Sequence, residues 1–194
     1  MRQLTLSFLF LTLVGCVTQP NFNKVVGGGS FSQAGLTYTT SDNFEWNVLT
    51  QHTYRTNLAA FGSDRNESYI ISTTTFNIPP NQTGQQFLDF VKSERNKEPQ
   101  TGRFENIKES ISLYAARKEI CANFSSSSKD YGAKRSGEYA LYETYGMYCI
   151  HPYNDSIGVF IELSRKAPFS KSESPINKNG EKLLKSVKFS DFKV

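Results

Sequence analysis

The chain has 194 residues, of which 38% are hydrophobic, and its 22 basic and 18 acidic side chains give a net charge of +4. This mild basic excess is spread along the chain, whereas nucleic-acid binding needs basic residues concentrated on one surface, so no nucleic-acid partner is predicted. The two histidines lie outside any metal-binding motif and the three cysteines form no Cys-x-x-Cys pair, so neither a metal site nor a cofactor is predicted.

The N-terminus has the pattern of an export signal that ends in a cysteine. Arg2 precedes an uncharged apolar stretch over residues 4–14, which is too short for a transmembrane helix, because spanning a bilayer takes about 20 apolar residues. The segment Leu13-Val14-Gly15-Cys16 resembles the lipobox of bacterial lipoproteins. The resemblance implies a signal peptide over residues 1–15, diacylglycerol on Cys16 and a mature chain anchored to an envelope membrane. The alternative is an ordinary signal peptide with a chance cysteine.

The residues after Cys16 bear on where the domain sits. In enteric-type lipoproteins an Asp at the next position favours the inner membrane, so Val17 there implies the outer membrane. Residues 16–43 are rich in Gly, Ser, Thr and Asn, which predicts a lipidated flexible tether. The globular domain is expected to start near Trp46 and to cover residues 44–194.

Strands dominate the predicted domain. Each predicted strand is rich in β-branched or aromatic residues or alternates apolar with polar ones. The strands are expected at residues 46–49, 53–61, 69–78, 110–113, 120–124, 139–150 and 157–163. Between the fifth and sixth strands, Ser125–Ser128 and residues 132–137 are expected to form a mobile hairpin tip.

Two helices are predicted, one inserted between strands and one near the C-terminus. Thr83 and Gln86 form a capping-box pattern, and an apolar stripe behind them continues to about Asn96. Near the C-terminus, Ser174 is the expected N-cap and Pro175 the first helical residue. The predicted fold class is therefore α+β: an antiparallel sheet with an inserted helix and a C-terminal helix packed on one face.

This order of elements resembles the PsbP/Mog1-like α/β sandwiches. The resemblance rests on Trp46 at the start of the domain, on the helix around Gln85–Val91, and on the closing Lys182–Phe189 segment. It covers residues 44–192 and implies an accessory or binding role without a shared chemistry.

The cysteines Cys121 and Cys149 remain once Cys16 carries lipid. In an exported protein such a pair favours a disulfide over free thiols. If their strands form an antiparallel hairpin with these residues opposed, Asn123 lies opposite Met147 and Glu119 lies opposite His151. The reversal is then centred on Arg135, between two glycines that favour a turn.

Four tyrosines spaced by three form the most unusual local pattern: Tyr139, Tyr142, Tyr145 and Tyr148. On a strand this spacing alternates faces, so Tyr139 and Tyr145 point one way and Tyr142 and Tyr148 the other. The functional interpretation is an exposed platform for a protein or glycan. The simpler interpretation is that tyrosine is common in strands.

The sequence contains no recognised catalytic motif. His151 and Asp155 form a possible base–orienter pair, but the G-x-S-x-G nucleophile motif is absent and the intervening Pro152-Tyr153-Asn154 is typical of a turn. The predicted function is therefore a non-catalytic, membrane-anchored envelope module that binds a protein or glycan partner. The alternative is an envelope hydrolase or small-ligand carrier, which a deep pocket lined by His151, Asp155 and serines would favour.

Overall fold

The computed structural model describes residues 23–33, 35–62, 66–97, 102–132, 139–168 and 175–191. The elements in these ranges are β1 (Lys24–Val25), β2 (Ser30–Gln33), β3 (Leu36–Thr39), β4 (Trp46–His52), β5 (Arg55–Phe61), β6 (Ser68–Asn77), α1 (Gly84–Asn96), β7 (Phe104–Leu113), β8 (Cys121–Asp130), β9 (Ala140–His151), β10 (Asn154–Pro168), α2 (Ile176–Ser186) and β11 (Lys188–Phe189). The predicted lipobox and signal peptide lie outside the described residues.

The strands form one large and one small antiparallel sheet. The large sheet has eight strands in the order β1-β4-β5-β6-β10-β9-β8-β7, and the small sheet has the order β11-β3-β2. Helix α1 is inserted between β6 and β7, and α2 follows β10. The fold is therefore α+β and dominated by its sheet, as the sequence predicts.

Each helix covers a different face of the large sheet. Alternate residues of a strand point to opposite faces. In β9, Met147 and Cys149 lie in one buried cluster with Leu184 of α2, which defines the α2 face. Ile150 lies in a second cluster with Val91 of α1, which defines the α1 face. The structure thus differs from the expected packing of both helices on one face, because an apolar stripe tells which side of a helix is buried but not which face of the sheet it meets.

The α2 face carries the main core. Helix α2 and the small sheet together cover it, and the core includes Trp46, Leu58, Ile71 and Ile161. At one end of this face Arg165 is buried and forms ion pairs with two glutamates, one of them Glu143 at 2.7 Å.

The N-terminal strands differ from the predicted flexible tether. Residues 24–39 contribute three strands, and Leu36 and Tyr38 are buried in the main core. Val25 pairs with Trp46, so the folded part begins well before residue 44. The Gly- and Ser-rich composition predicts a flexible segment, and the alternation of apolar residues that indicates strands is short here. Residues 16–22 of the predicted tether lie outside the described residues.

Both helix starts were predicted from capping patterns, and one prediction is confirmed. Thr83 is the N-cap of α1, and its side chain and that of Gln86 form the reciprocal capping box. In α2 the N-cap is Pro175, without a side-chain cap, rather than Ser174, which lies outside the described residues. At the other end of α2, the Arg117 guanidinium donates to the carbonyl oxygens of Leu184 and Val187, each at 3.1 Å, and so helps to cap the helix C-terminus.

The β8–β9 hairpin has the predicted register. Cys121 lies opposite Cys149 and Asn123 opposite Met147, and the two cysteines form a disulfide with their Cα atoms 4.1 Å apart. The ladder starts at Cys121, so the predicted Glu119–His151 pair is not part of it. Residues 125–128 belong to β8 rather than to a hairpin tip, because they pair with β7 on one side and with β9 on the other. The predicted turn around Arg135 lies outside the described residues.

Candidate functional site

A groove opens on the part of the α1 face that α1 leaves uncovered. It is a cavity of 430 Å³ lined by side chains of α1 and of the six adjacent strands from β5 to β7 in the large sheet. The lining is mostly polar and includes three aromatic rings: Arg55, Ser72, Thr74, Arg95, Asn96, Phe104, Asn106, Glu109, Ser126, Ser128, Tyr142, Thr144, Phe160 and Glu162. These residues define the groove.

Strand alternation places the small hydroxyl residues in the groove. Ser126 and Thr144 lie directly opposite each other on β8 and β9, and their hydroxyl oxygens are 2.7 Å apart. Ser128 follows on the same face and donates to Asn106 Oδ1 of β7 at 2.7 Å. Cross-strand hydrogen bonds therefore fix the orientation of the groove wall formed by β7, β8 and β9.

Arg95 of α1 forms the wall of the groove nearest the helix. Its Nε donates to Glu109 Oε1 at 2.7 Å, and its guanidinium lies 4.2 Å from the centre of the Phe124 ring. Burial lowers the pKa of Arg95, but hydrogen bonds to Glu109 and Tyr148 outweigh it, so the pKa is raised overall and the side chain stays charged. Gly146 makes room for this arrangement, because a Cβ there would lie 2.6 Å from Phe124.

Aromatic rings line the groove at two depths. Phe160 is half-buried and stacks against Phe124, with ring centres 6.0 Å apart. Nearer the rim, the rings of Phe104 and Tyr142 are 5.3 Å apart, and the Arg103 guanidinium lies 4.9 Å from the Phe104 ring centre. Flat apolar surface is therefore available beside the polar wall.

A buried carboxylate supports the rim beside Tyr142. Asp130 accepts two hydrogen bonds from Arg103, at 2.8 and 3.0 Å, and one from Lys166 Nζ at 2.6 Å. Chiefly because of Arg103, and against the effect of burial, the pKa of Asp130 lies far below its usual range. Asp130 therefore holds Arg103 in place next to Phe104.

The four tyrosines of the sequence pattern have different surroundings, and all four are half-buried. Tyr142 lines the groove. Tyr145 packs against α2, since a Cβ at Gly180 would lie 2.5 Å from its ring. Tyr148 lies on the other face, 4.8 Å from the Phe160 ring, and Tyr139 lies 5.7 Å from the Tyr131 ring. The structure thus brings one of the four to the groove.

The possible catalytic pair has separate partners. His151 is buried against Phe189, accepts a hydrogen bond from the Tyr153 N–H at 3.3 Å, and has its pKa lowered by burial. Asp155 accepts from the Asn81 N–H at 3.2 Å. Neither side chain lines the groove, so the pocket that would favour a hydrolase is not found there. The segment between them is the predicted turn, which joins β9 to β10.

A second cavity of 430 Å³ lies on the α2 face, between α2 and residues 39–42. Its floor includes Trp46, Ile71 and Leu163, which are core residues exposed by 3% or less. These floor residues are already packed in the main core, whereas the side chains that line the groove belong to neither buried cluster. The groove is the stronger candidate site.

The described ranges also bear on membrane spanning and on metal binding. No helix there is both long and apolar enough to cross a membrane. No group of three or more His, Cys, Asp or Glu side chains in those ranges is placed to hold a metal ion.

Comparisons with known proteins assign no family. No family model matches the chain, and no curated protein matches it. Among solved structures, the chain is similar to a protein from Bacteroides thetaiotaomicron VPI-5482, known from a crystal structure at 1.50 Å resolution, with 14% sequence identity and a TM-score of 0.46. The match covers 86% of this chain and 50% of that chain, so the chain spans half the length of the protein it matches. A likeness this distant supports no statement about fold or function.

Proposed function

We propose that the chain is an envelope lipoprotein, anchored through lipid on Cys16, whose domain is a non-catalytic binding or assembly module for a protein or glycan partner. Val17 favours the outer membrane over the inner membrane. The groove on the α1 face is the proposed binding site. The Cys121–Cys149 disulfide supports export, because disulfides persist in oxidising compartments such as the bacterial periplasm.

The composition of the groove carries the proposal. A sheet face that served packing alone would be covered by the apolar side chains of another element. The groove instead combines aromatic rings with polar side chains that hydrogen bonds hold in place, such as Ser126, Thr144 and Arg95. Binding sites share this combination of apolar surface and a few fixed polar groups.

The short segment between Cys16 and β1 limits how far the domain can lie from the membrane. With β1 beginning at Lys24, the segment from Cys16 reaches at most roughly 27 Å, since an extended residue spans about 3.4 Å. The domain would therefore work close to the membrane surface, and its partner would lie within that range.

The anchor is tested by replacing the proposed lipidated residue. Cys16→Ser should abolish labelling of the protein by a palmitate analogue in growing cells, whereas Cys149→Ser should still be labelled, because it removes a thiol outside the lipobox. Equal labelling of the Cys16→Ser variant and the native chain would refute the lipoprotein proposal.

The binding site is tested by filling the groove. Thr74→Trp places a large side chain in the groove, and Thr53→Trp places the same side chain on the exposed β4–β5 turn. In pull-downs from crosslinked envelopes, we expect the native chain and Thr53→Trp to recover the same partner and Thr74→Trp to lose it. Recovery by all three would place the binding site elsewhere.

A further inference from the structure

We infer that the groove binds a neutral glycan chain, an inference that rests on the proposed function and narrows its partner. The first observation is charge. The charged lining consists of Arg55, Arg95, Glu109 and Glu162, so positive and negative charges balance. Arg95 and Glu109 also neutralise each other, at 2.7 Å. A strongly charged ligand would gain no net attraction here and would leave charges unpaired, which is costly where water is excluded.

The second observation is the kind of hydrogen bonding on offer. The main-chain groups of β5, β6, β10, β9 and β8 are engaged with neighbouring strands, so a ligand on this face must be bound by side chains. An extended peptide bound on this face would lack the main-chain hydrogen bonds that peptides form at a sheet edge. The groove offers hydroxyls on Ser72, Thr74 and Ser126 and an amide on Asn96. These groups both donate and accept, as the hydroxyls of a sugar do.

The third observation is the pair of aromatic rings at the rim. Phe104 is 38% exposed and Tyr142 is half-buried beside it, with ring centres 5.3 Å apart. Together they present flat apolar area next to polar groups. A sugar ring has the matching character, with C–H groups on its faces and hydroxyls around its edge. Tyr142 is therefore assigned the stacking role.

The fourth observation is the length of the groove. The lining runs from Arg55 on β5 to Phe104 on β7, across six neighbouring strands of the large sheet. Strands lie about 4.8 Å apart, so the five steps measure roughly 24 Å across the strands. The lining also runs along the strands, because the row of paired residues that contains Arg55 meets β7 at Leu113 rather than at Phe104. That length accommodates several linked sugar rings, with the aromatic pair at one end and Arg55 at the other.

The test uses titration calorimetry of the full chain carrying Cys16→Ser, so that lipid does not interfere. The probes are neutral oligomers of glucose and of N-acetylglucosamine, with oligouronates as the charged counterpart. Tyr142→Ala should weaken binding of the neutral oligomer about tenfold, because it removes the stacking ring. Tyr142→Phe should keep most of the affinity. Tyr153→Ala is the matched control, because Tyr153 is 61% exposed on a turn outside the groove.

The outcomes separate this inference from the proposed function. Neutral-oligomer binding that Tyr142→Ala weakens and that Thr74→Trp blocks supports the glycan assignment, and the second variant keeps the test valid if the first is unstable. Failure of every neutral oligomer to bind, or tighter binding of oligouronates, overturns the inference. If Thr74→Trp still abolishes partner capture in that case, the proposed function stands with a different ligand. If capture is also unaffected, the glycan inference fails together with the assignment of the groove as the binding site.

Discussion

On the α2 face, β9 presents Met147 and Cys149 to a closed core, whereas on the α1 face the same strand presents Tyr142 and Thr144 to an open groove. Helix α2 and the small sheet pack over the core on the first face, while α1 covers only part of the second. One strand therefore serves two purposes through alternate residues. The main buried cluster therefore lies on the α2 face, whereas the α1 face combines a smaller buried cluster under α1 with the groove that we propose as the binding site.

The largest expected effect comes from opening the α2 face. Trp46 is fully buried there, and Trp46→Ala should lower the free energy of unfolding by about 3–5 kcal/mol, because it removes a large side chain and leaves a cavity. Urea denaturation measures the change. Leu49→Ala on the same strand is the control, since Leu49 is 46% exposed and its loss should cost far less. Equal effects of the two substitutions would contradict the assignment of the core to this face.

Removing the disulfide is expected to have the next largest effect. The chain-entropy model gives a cost of about 3–4 kcal/mol for the Cys121→Ala/Cys149→Ala variant, because the cross-link closes a loop between residues 28 apart. Urea denaturation with and without reductant measures it, and reductant should not affect the double variant. Mass spectrometry that finds both thiols of the unreduced native protein free to alkylation would refute the bridge.

Acidification should weaken the groove rim. The pKa of Asp130 is lowered in the folded protein, so its ionised form stabilises the fold above the usual carboxyl pKa of about 3.9, and this contribution is lost as the pH falls below that value. Asp130→Asn should therefore be less stable than the native chain near neutral pH, with the difference shrinking in acid. Thermal melts across pH measure it, and Asp42→Asn on an exposed residue is the control. A difference that grows in acid would contradict the ion-pair arrangement.

The smallest effect on stability is expected in the groove itself. Ser126→Ala removes one hydroxyl contact with Thr144, which should cost about 1 kcal/mol or less. Ser112→Ala, which removes an exposed side-chain hydrogen bond to Asn123, is the matched control. Both should melt near the native temperature, but the groove variant alone should recover less partner from crosslinked envelopes. Equal recovery would contradict a role for Ser126 in binding.

The sequence predicted best where a residue pair fixed the geometry. Opposing Cys121 to Cys149 set the register of the β8–β9 hairpin, and the structure confirms Asn123 opposite Met147. The capping box at Thr83 likewise placed the start of α1. In both cases a few local residues determine the geometry, so no knowledge of the rest of the fold was needed.

Prediction failed where composition outweighed a short pattern. The Gly- and Ser-rich composition of residues 16–43 predicts a tether, although Leu36 and Tyr38 alternate with polar residues as a strand facing a core does. The four serines at 125–128 predict a mobile hairpin tip, whereas the structure places them in β8. They are compatible with β8 because half of them face a polar groove rather than a core.

The groove was not predicted from the sequence, because its residues become neighbours only through the strand order. Arg55 and Glu162 are far apart in the chain and lie on strands separated by β6. Tyr142 was singled out by the tyrosine spacing, whereas Arg95 and Glu109 carried no signal of their own. The resemblance to PsbP/Mog1-like sandwiches and the lipid anchor stay predictions.

The central claim is that the partner binds the α1 face, and photo-crosslinking in cells tests it most directly. A photoreactive amino acid would replace Asn96 or Thr74 in the groove and, as the comparison, Lys182 on the exposed side of α2. Adducts of defined mass from both groove positions and none from Lys182 are the predicted result. Adducts from Lys182 without any from Asn96 or Thr74 would contradict the claim.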